Sequence, residues 1–134
     1  MRVIIADDQA GVRSALRFLL EQQAKGCVIS ESSNTENLIS QLIAGCPDII
    51  LLDAELEGIV KGNGDAKNSS FESLVSTLRE QCPGVRVIAL SSRPDLRVST
   101  LCCGADAFVC KADPPEELLK VLQNLCSDDQ PSEC

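Results

Sequence analysis

Apolar residues recur along this chain in two different patterns. Short strand candidates stand at 2–6, 27–31, 48–52, 85–91 and 106–110, the first and third nearly all apolar. Runs of this length, rich in Val, Ile and Leu, predict strands buried on both faces. Between and after them the spacing changes to i, i+3, i+4. Val12, Ala15, Leu16, Leu19 and Leu20 stripe residues 10–23, and Leu38, Ile39, Leu42 and Ile43 stripe the next segment. Phe71, Leu74, Val75 and Leu78 mark a third stripe; Leu118, Leu119, Val121, Leu122 and Leu125 mark the last. Each predicts one buried face of a helix. Pro94 to Cys103 predicts a shorter, weaker helix. Asp113 is placed to cap the last helix, with Pro114 and Pro115 in its first turn and Glu116 and Glu117 at the positive end of its dipole.

Five strand–helix units in alternation predict an α/β fold, a parallel sheet with helices on both faces. For five strands the expected order is 2-1-3-4-5, the flavodoxin-like doubly wound arrangement. That order sets the ends of strands 1 and 3 side by side at the topological switch point. Asp7 and Asp8 follow strand 1, Asp53 follows strand 3, Ser91 and Ser92 end strand 4, and Lys111 follows strand 5. One sheet edge therefore collects three carboxylates, a hydroxyl and an ammonium. Two like charges 4 Å apart repel by roughly 4 kcal/mol at an effective dielectric of 20, so such a cluster calls for a cation. Oxygen donors of this kind suit Mg²⁺. A carboxylate beside a metal and a lysine can also act as a nucleophile in phosphoryl transfer.

Composition narrows the choices. A chain of 134 residues is the size of one domain with a real core. Its 12 Lys and Arg against 20 Asp and Glu give a net charge of -8, which argues against gripping a nucleic-acid backbone. No apolar stretch approaches the roughly 20 residues of a membrane span, and no charged leader precedes the first strand. There is no histidine, so Ser–His and Cys–His nucleophiles are excluded, and any phosphohistidine must lie on a partner. The eight cysteines include no C-x-x-C pair and fall mostly in or beside apolar runs. They are expected to be free thiols in a reducing interior, without a disulfide framework or a zinc site. Gly58 to Ser70 holds three glycines and little periodicity. As a strand-to-helix loop it is about twice the usual 2–6 residues.

Four segments carry a resemblance. They are Val3-Ile4-Ile5-Ala6-Asp7-Asp8, Asp48-Ile49-Ile50-Leu51-Leu52-Asp53, Val87-Ile88-Ala89-Leu90-Ser91-Ser92, and Gly104-Ala105-Asp106-Ala107-Phe108-Val109-Cys110-Lys111. In this order and spacing the chain resembles the receiver domain of bacterial two-component response regulators, from residue 2 to about 126. Pro114-Pro115-Glu116-Glu117-Leu118-Leu119 resembles the group whose full-length members carry a helix-turn-helix output and regulate transcription. The resemblance implies a receiver domain over 1–126 and a polar, frayed tail over 127–134. It makes Asp53 the phosphoacceptor and a Mg²⁺ ligand, with Asp8 binding the metal directly, Asp7 through water, and the carbonyl of Glu55 completing the protein ligands. Lys111 and Ser91 would contact the phosphoryl group, and Ser91 and Phe108 would be the switch residues. The surface they change comprises the fourth helix, fifth strand and fifth helix, which also offers a homodimer contact.

The implied partner is a sensor histidine kinase or phosphotransfer protein in the cytoplasm. The domain itself would bind neither nucleic acid nor membrane, and would phosphorylate and dephosphorylate itself rather than act as an enzyme. Two departures from the family pattern stand out. Glu57 replaces a usual Pro, and Ala112 follows the lysine where a cis-Pro is common, leaving that peptide's isomer open. Glu55 and Arg93 lie two residues beyond the acceptor and the switch hydroxyl, and are expected to pair across the site as a lid that slows hydrolysis. Two other functions stay open: a phosphorylation-independent pseudo-receiver serving as an interaction module, and a metal-dependent phosphohydrolase with Glu55 as acid/base.

Overall fold

The apolar runs become five parallel strands, β1 Arg2–Ala6, β2 Val28–Ser32, β3 Ile49–Asp53, β4 Arg86–Ser91 and β5 Ala107–Cys110, in the order β2-β1-β3-β4-β5. The computed structural model describes residues 1–23, 26–56 and 70–128. Glu57, residues 58–69 of the expected long loop and the tail beyond 128 lie outside the described residues. The helices are α1 Ala10–Gln23, α2 Thr35–Ala44, α3 Ser70–Gln81, α4 Arg97–Cys102 and α5 Pro115–Asp128. A single 3₁₀ turn, Pro94–Leu96, leads into the short α4. The strand limits and those of α1 lie within a residue of those expected from periodicity, whereas α4 starts three residues later than the expected Pro94.

Successive strand residues face opposite sides of the sheet, and this sorts the core into two layers. Ile4, Ala6, Ile50, Leu52, Val87, Ala89 and Phe108 pack with α2 and α3 through Leu38, Leu42, Leu74, Val75 and Leu78. Val3, Ile5, Ile49, Leu51, Ile88, Leu90 and Val109 pack with Leu20 of α1 and Leu118, Leu122 and Leu125 of α5. β3 is buried at every position, as the central strand of a sheet covered on both faces must be. Each fully buried Leu or Ile contributes about 1.5–3 kcal/mol of transfer free energy, which holds the register as well as the fold. In that register Ala6 pairs with Leu52 and Leu52 with Ala89. The residues that follow, Asp7, Asp53 and Leu90, must then emerge at one edge.

Two expectations are corrected here. Asp113 does not cap α5. Its carboxylate turns back to accept the N–H of Cys110 at 3.2 Å, while its own N–H donates to the Cys110 carbonyl at 2.9 Å. The helix starts at Pro115, and two consecutive prolines leave few N–H groups there for a cap to satisfy. The cysteines are not all free, either. Cys46 and Cys82 form a disulfide, with Cα atoms 5.6 Å apart. Cys46 leads into β3, and Cys82 follows the last turn of α3. A helix that returns antiparallel to its strand ends beside that strand's start, so the crossover itself brings the two thiols into bonding range. Cys27, Cys102 and Cys110 are free thiols. The described residues contain no cis peptide bond, so Lys111–Ala112 is trans.

Candidate functional site

The edge where the strands end carries the acids. Asp7 is wholly buried and Asp53 is 3% exposed, while Asp8 faces solvent. Carboxylate oxygens of all three lie within 4.8 Å of one another. The turn after β3 secures Asp53: its Oδ1 accepts the N–H of Glu55 at 3.0 Å, and Ala54 N–H donates to Leu90 at 2.8 Å. Asp7 Oδ1 accepts the N–H of Gln9 at 2.8 Å. Lys111 reaches in from the end of β5, its backbone N–H held by the Ser91 carbonyl at 2.8 Å. Its Nζ stands 2.8 Å from Asp7 Oδ2 and 3.3 Å from Asp53 Oδ2.

Three carboxylates thus face one ammonium. Burial pushes the Asp53 carboxyl above its ordinary pKa; the Glu55 N–H opposes the shift, Asp7 adds to it, and Lys111 offsets part of it. Burial alone would lower the Lys111 pKa, but the Asp7 hydrogen bond and the charges of Asp53 and Asp7 carry it above its usual value. The buried Oδ2 of Asp7 meets Lys111 and, among the described residues, no other donor. A half-satisfied buried carboxylate oxygen beside two further carboxylates is a donor set that fits a hard divalent cation. Above it opens a cleft of about 470 Å³ lined by Asp8, Gln9, Val12, Asp53, Glu55, Ser92 and Lys111.

The acid pair has a polar brace that the sequence does not announce. Arg13, one turn into α1, donates through Nη1 to the Asp7 carbonyl at 2.7 Å and through Nε to Glu31 of β2 at 3.0 Å. Asp7 N–H continues the sheet ladder to the Ser32 carbonyl at 3.0 Å. Gln41 of α2 then ties the Glu31 carbonyl and the Ser32 hydroxyl, at 2.7 and 2.8 Å. Arg13 offers a weak signal, since a residue one turn after a strand end can reach back to it. Glu31 offers none, because its role depends on β2 lying next to β1.

The β4 side is different. Ser91 is fully buried, and its Oγ accepts the N–H of Arg93 at 3.0 Å; Ser92, not Ser91, lines the cleft. Phe108 is 5% exposed within the α3 layer, with the Arg97 guanidinium 5.8 Å from its ring centre. Glu55 lines the cleft as expected. Arg93 instead hydrogen bonds Asp95 at 2.8 Å, and this bond is the first cause of its raised pKa; the charge of Glu55 adds a smaller favourable effect. A partner two residues away on the 3₁₀ turn costs less side-chain entropy than one across the cleft, so Arg93 takes Asp95 as its hydrogen-bond partner.

Comparisons with known proteins bear on the family and the fold that carry this site. The profile of the response regulator receiver domain matches residues 3–123. The chain belongs to the response regulator receiver domain family. The nitrate/nitrite response regulator protein NarL of Escherichia coli (strain K12) is 31% identical to this receiver over 122 residues, covering 90% of this chain and 52% of NarL. The phosphate regulon transcriptional regulatory protein PhoB of the same organism is 32% identical over 120 residues, 88% of this chain and 48% of PhoB. The receiver therefore spans about half the length of the curated relatives it matches. Among solved structures, the isolated REC domain of RcsB from Salmonella enterica serovar Typhimurium aligns with a TM-score of 0.76 at 26% identity, covering 95% of this chain and 88% of that one. The chemotaxis response regulator CheY4 of Vibrio cholerae shares the fold, with a TM-score of 0.73 at 20% identity over 92% of this chain and 96% of that one. The receiver is thus a component of two-component signalling. Among its described residues no helix is long and apolar enough to cross a membrane.

Proposed function

We propose that this receiver takes a phosphoryl group from a partner phosphohistidine onto Asp53, in the cytoplasm, and passes the change to its α4–β5–α5 surface. One observation carries the reading: a carboxylate only 3% exposed, with two further carboxylates within 4.8 Å, opens to a cleft that also holds an ammonium. An Asp53 oxygen attacks phosphorus, the bond from phosphorus to the imidazole nitrogen breaks, and that nitrogen keeps the electron pair. Asp7, Asp8, Asp53 and the Glu55 carbonyl would hold Mg²⁺, whose bound charge neutralises the phosphoryl oxygens. Lys111 moves from Asp7 and Asp53 to a phosphoryl oxygen, and the Ser91 hydroxyl leaves the Arg93 N–H for another. Phosphorylation adds about -1.5 to -2 charges and new acceptor oxygens.

Those movements have a surface to act on. Phe108 lies under α4, where Val98 is 70% and Leu101 37% exposed. An apolar surface there suits a homodimer contact or a downstream domain. In a full-length regulator that domain would bind DNA, since the receiver's own net charge of -8 does not favour it. Glu55 and Arg93 remain placed to influence water access to the acyl phosphate.

Incubation with acetyl phosphate and Mg²⁺ tests this. Intact mass spectrometry should show one phosphoryl adduct, mapped to Asp53 and lost in Asp53→Asn. No adduct under conditions where the wild type is folded would leave an interaction module. Continuous phosphate release from unrelated phosphomonoesters would instead indicate a phosphohydrolase.

A further inference from the structure

The Cys46–Cys82 disulfide lies at the opposite edge of the sheet from the acid cluster, and the proposed phosphotransfer makes no use of it. Its two sulfurs are unequal. Cys46 is exposed, whereas Cys82 is 2% exposed in the layer between the sheet and α3. The bond closes a ring with a sequence separation of 36, and that ring contains β3, Asp53, the segment after it and all of α3. Disulfides found in reducing compartments are usually transient and catalytic or redox-sensing.

We infer that Cys46–Cys82 is a redox-modification site, opened by a cellular dithiol reductant that attacks the Cys46 sulfur. A reductant thiolate forms a new S–S bond to Cys46 Sγ. The Cys46–Cys82 bond breaks, and its electron pair passes to Cys82 Sγ, which takes a proton from water. The reductant's second thiolate then displaces Cys46, which is protonated in turn. Two electrons have entered the cystine, and the dithiol leaves as its own disulfide. Attack occurs at Cys46 because Cys82 is covered. The leaving Cys82 sulfur departs as a buried anion, which makes exchange slow compared with an exposed disulfide.

The reduced form has what it needs to remain folded. Cys46 Sγ lies 3.5 Å from the Gln81 carbonyl, so a thiol there has an acceptor. α3 keeps the Arg79 bonds to the Val85 carbonyl at 2.9 Å, to the Gly104 carbonyl and to Asp106 at 2.9 Å. What reduction removes is the covalent closure of the segment that carries the acceptor, so the thiol pool sets how firmly that segment is held. This input is independent of whether Asp53 is phosphorylated.

The test uses the full chain and dithiothreitol as reductant. Differential alkylation with peptide mass spectrometry should find Cys46 and Cys82 joined in oxidising buffer and both alkylated after native reduction. The melting temperature should fall on reduction by an amount on the order of 10 °C, and the reduced wild type should match Cys46→Ser/Cys82→Ser. With oxidised glutathione, Cys82→Ser should take up glutathione on Cys46, while Cys46→Ser takes none on Cys82. The inference fails if the pair stays free in oxidising buffer, resists native dithiol reduction, gives superimposable melting curves in both states, or shows glutathione on Cys82 as readily as on Cys46.

Discussion

The acid cluster has two flanks, built differently. On the β2–α1 flank, Arg13 joins the Asp7 carbonyl to Glu31 and Gln41 joins Glu31 to Ser32, so one polar lattice ties three elements. On the β4–α4 flank the polar contacts are local: Ser91 to Arg93, Arg93 to Asp95, and Thr100 to Leu96. α4 has only six residues, entered through a 3₁₀ turn. The difference suits the proposed metal-binding switch. Metal ligands need fixed positions, whereas a reporting element needs partners it can leave at little cost. The β4–α4 flank is loose in its polar layer but not in its packing, since Phe108 is buried in the α3 layer.

The largest test of that distinction is Phe108→Ala. If packing rather than polar contact holds this flank, the substitution should cost about 3–5 kcal/mol by denaturant unfolding. A much smaller loss would mean that the aromatic is already free to move. Next comes Arg13→Ala. It leaves the Asp7 carbonyl and Glu31 without their shared donor, and should cost about 1–3 kcal/mol. It should also weaken Mg²⁺ binding about tenfold by isothermal calorimetry, the usual penalty for losing an outer-shell support. Arg93→Ala is the control on the other flank: an exposed ion pair, with no measurable effect expected on melting temperature or Mg²⁺ affinity. Equal effects from both arginines would erase the distinction between the flanks.

The smallest measurable effect concerns Asp53. Its carboxyl pKa is raised, chiefly by burial, so the folded state binds more protons than the unfolded one between the two pKa values. Stability of the metal-free protein therefore falls as pH rises through that window, and ionised Asp53 costs stability at neutral pH. Asp53→Asn should raise the metal-free melting temperature by roughly a few °C at pH 7, and by less at pH 4. Thermal melts in chelator at the two pH values check the sign.

Much of this was legible in the sequence, for definite reasons. A change from short apolar runs to i, i+3, i+4 spacing marks most strands and helices, and alternation of the two points to a parallel sheet. Asp7, Asp8, Asp53 and Lys111 follow apolar runs directly, so their convergence needs only the strand order. Features that depend on which elements become neighbours were not legible. Glu31 is an ordinary edge-strand acid until β2 lies beside β1. Cys46 and Cys82 have no telling spacing, because the length of the crossover, not a motif, brings them together. Arg93 and Asp113 show local competition: each was expected to serve a more distant group, and each takes a partner two or three residues away.

Lys111 has one more consequence. With its ammonium 2.8 Å from Asp7 and 3.3 Å from Asp53, the chain carries a tethered counterion. A tethered group acts at an effective concentration that a short linker sets in the millimolar range or above. The site is therefore never electrostatically bare, and folding does not have to wait for a dissolved cation. A divalent ion arriving from solution would compete with an occupant already in place. In the proposed mechanism that would make the ion an adjustable input to the site, as the incoming phosphoryl group would be, instead of a structural part of it.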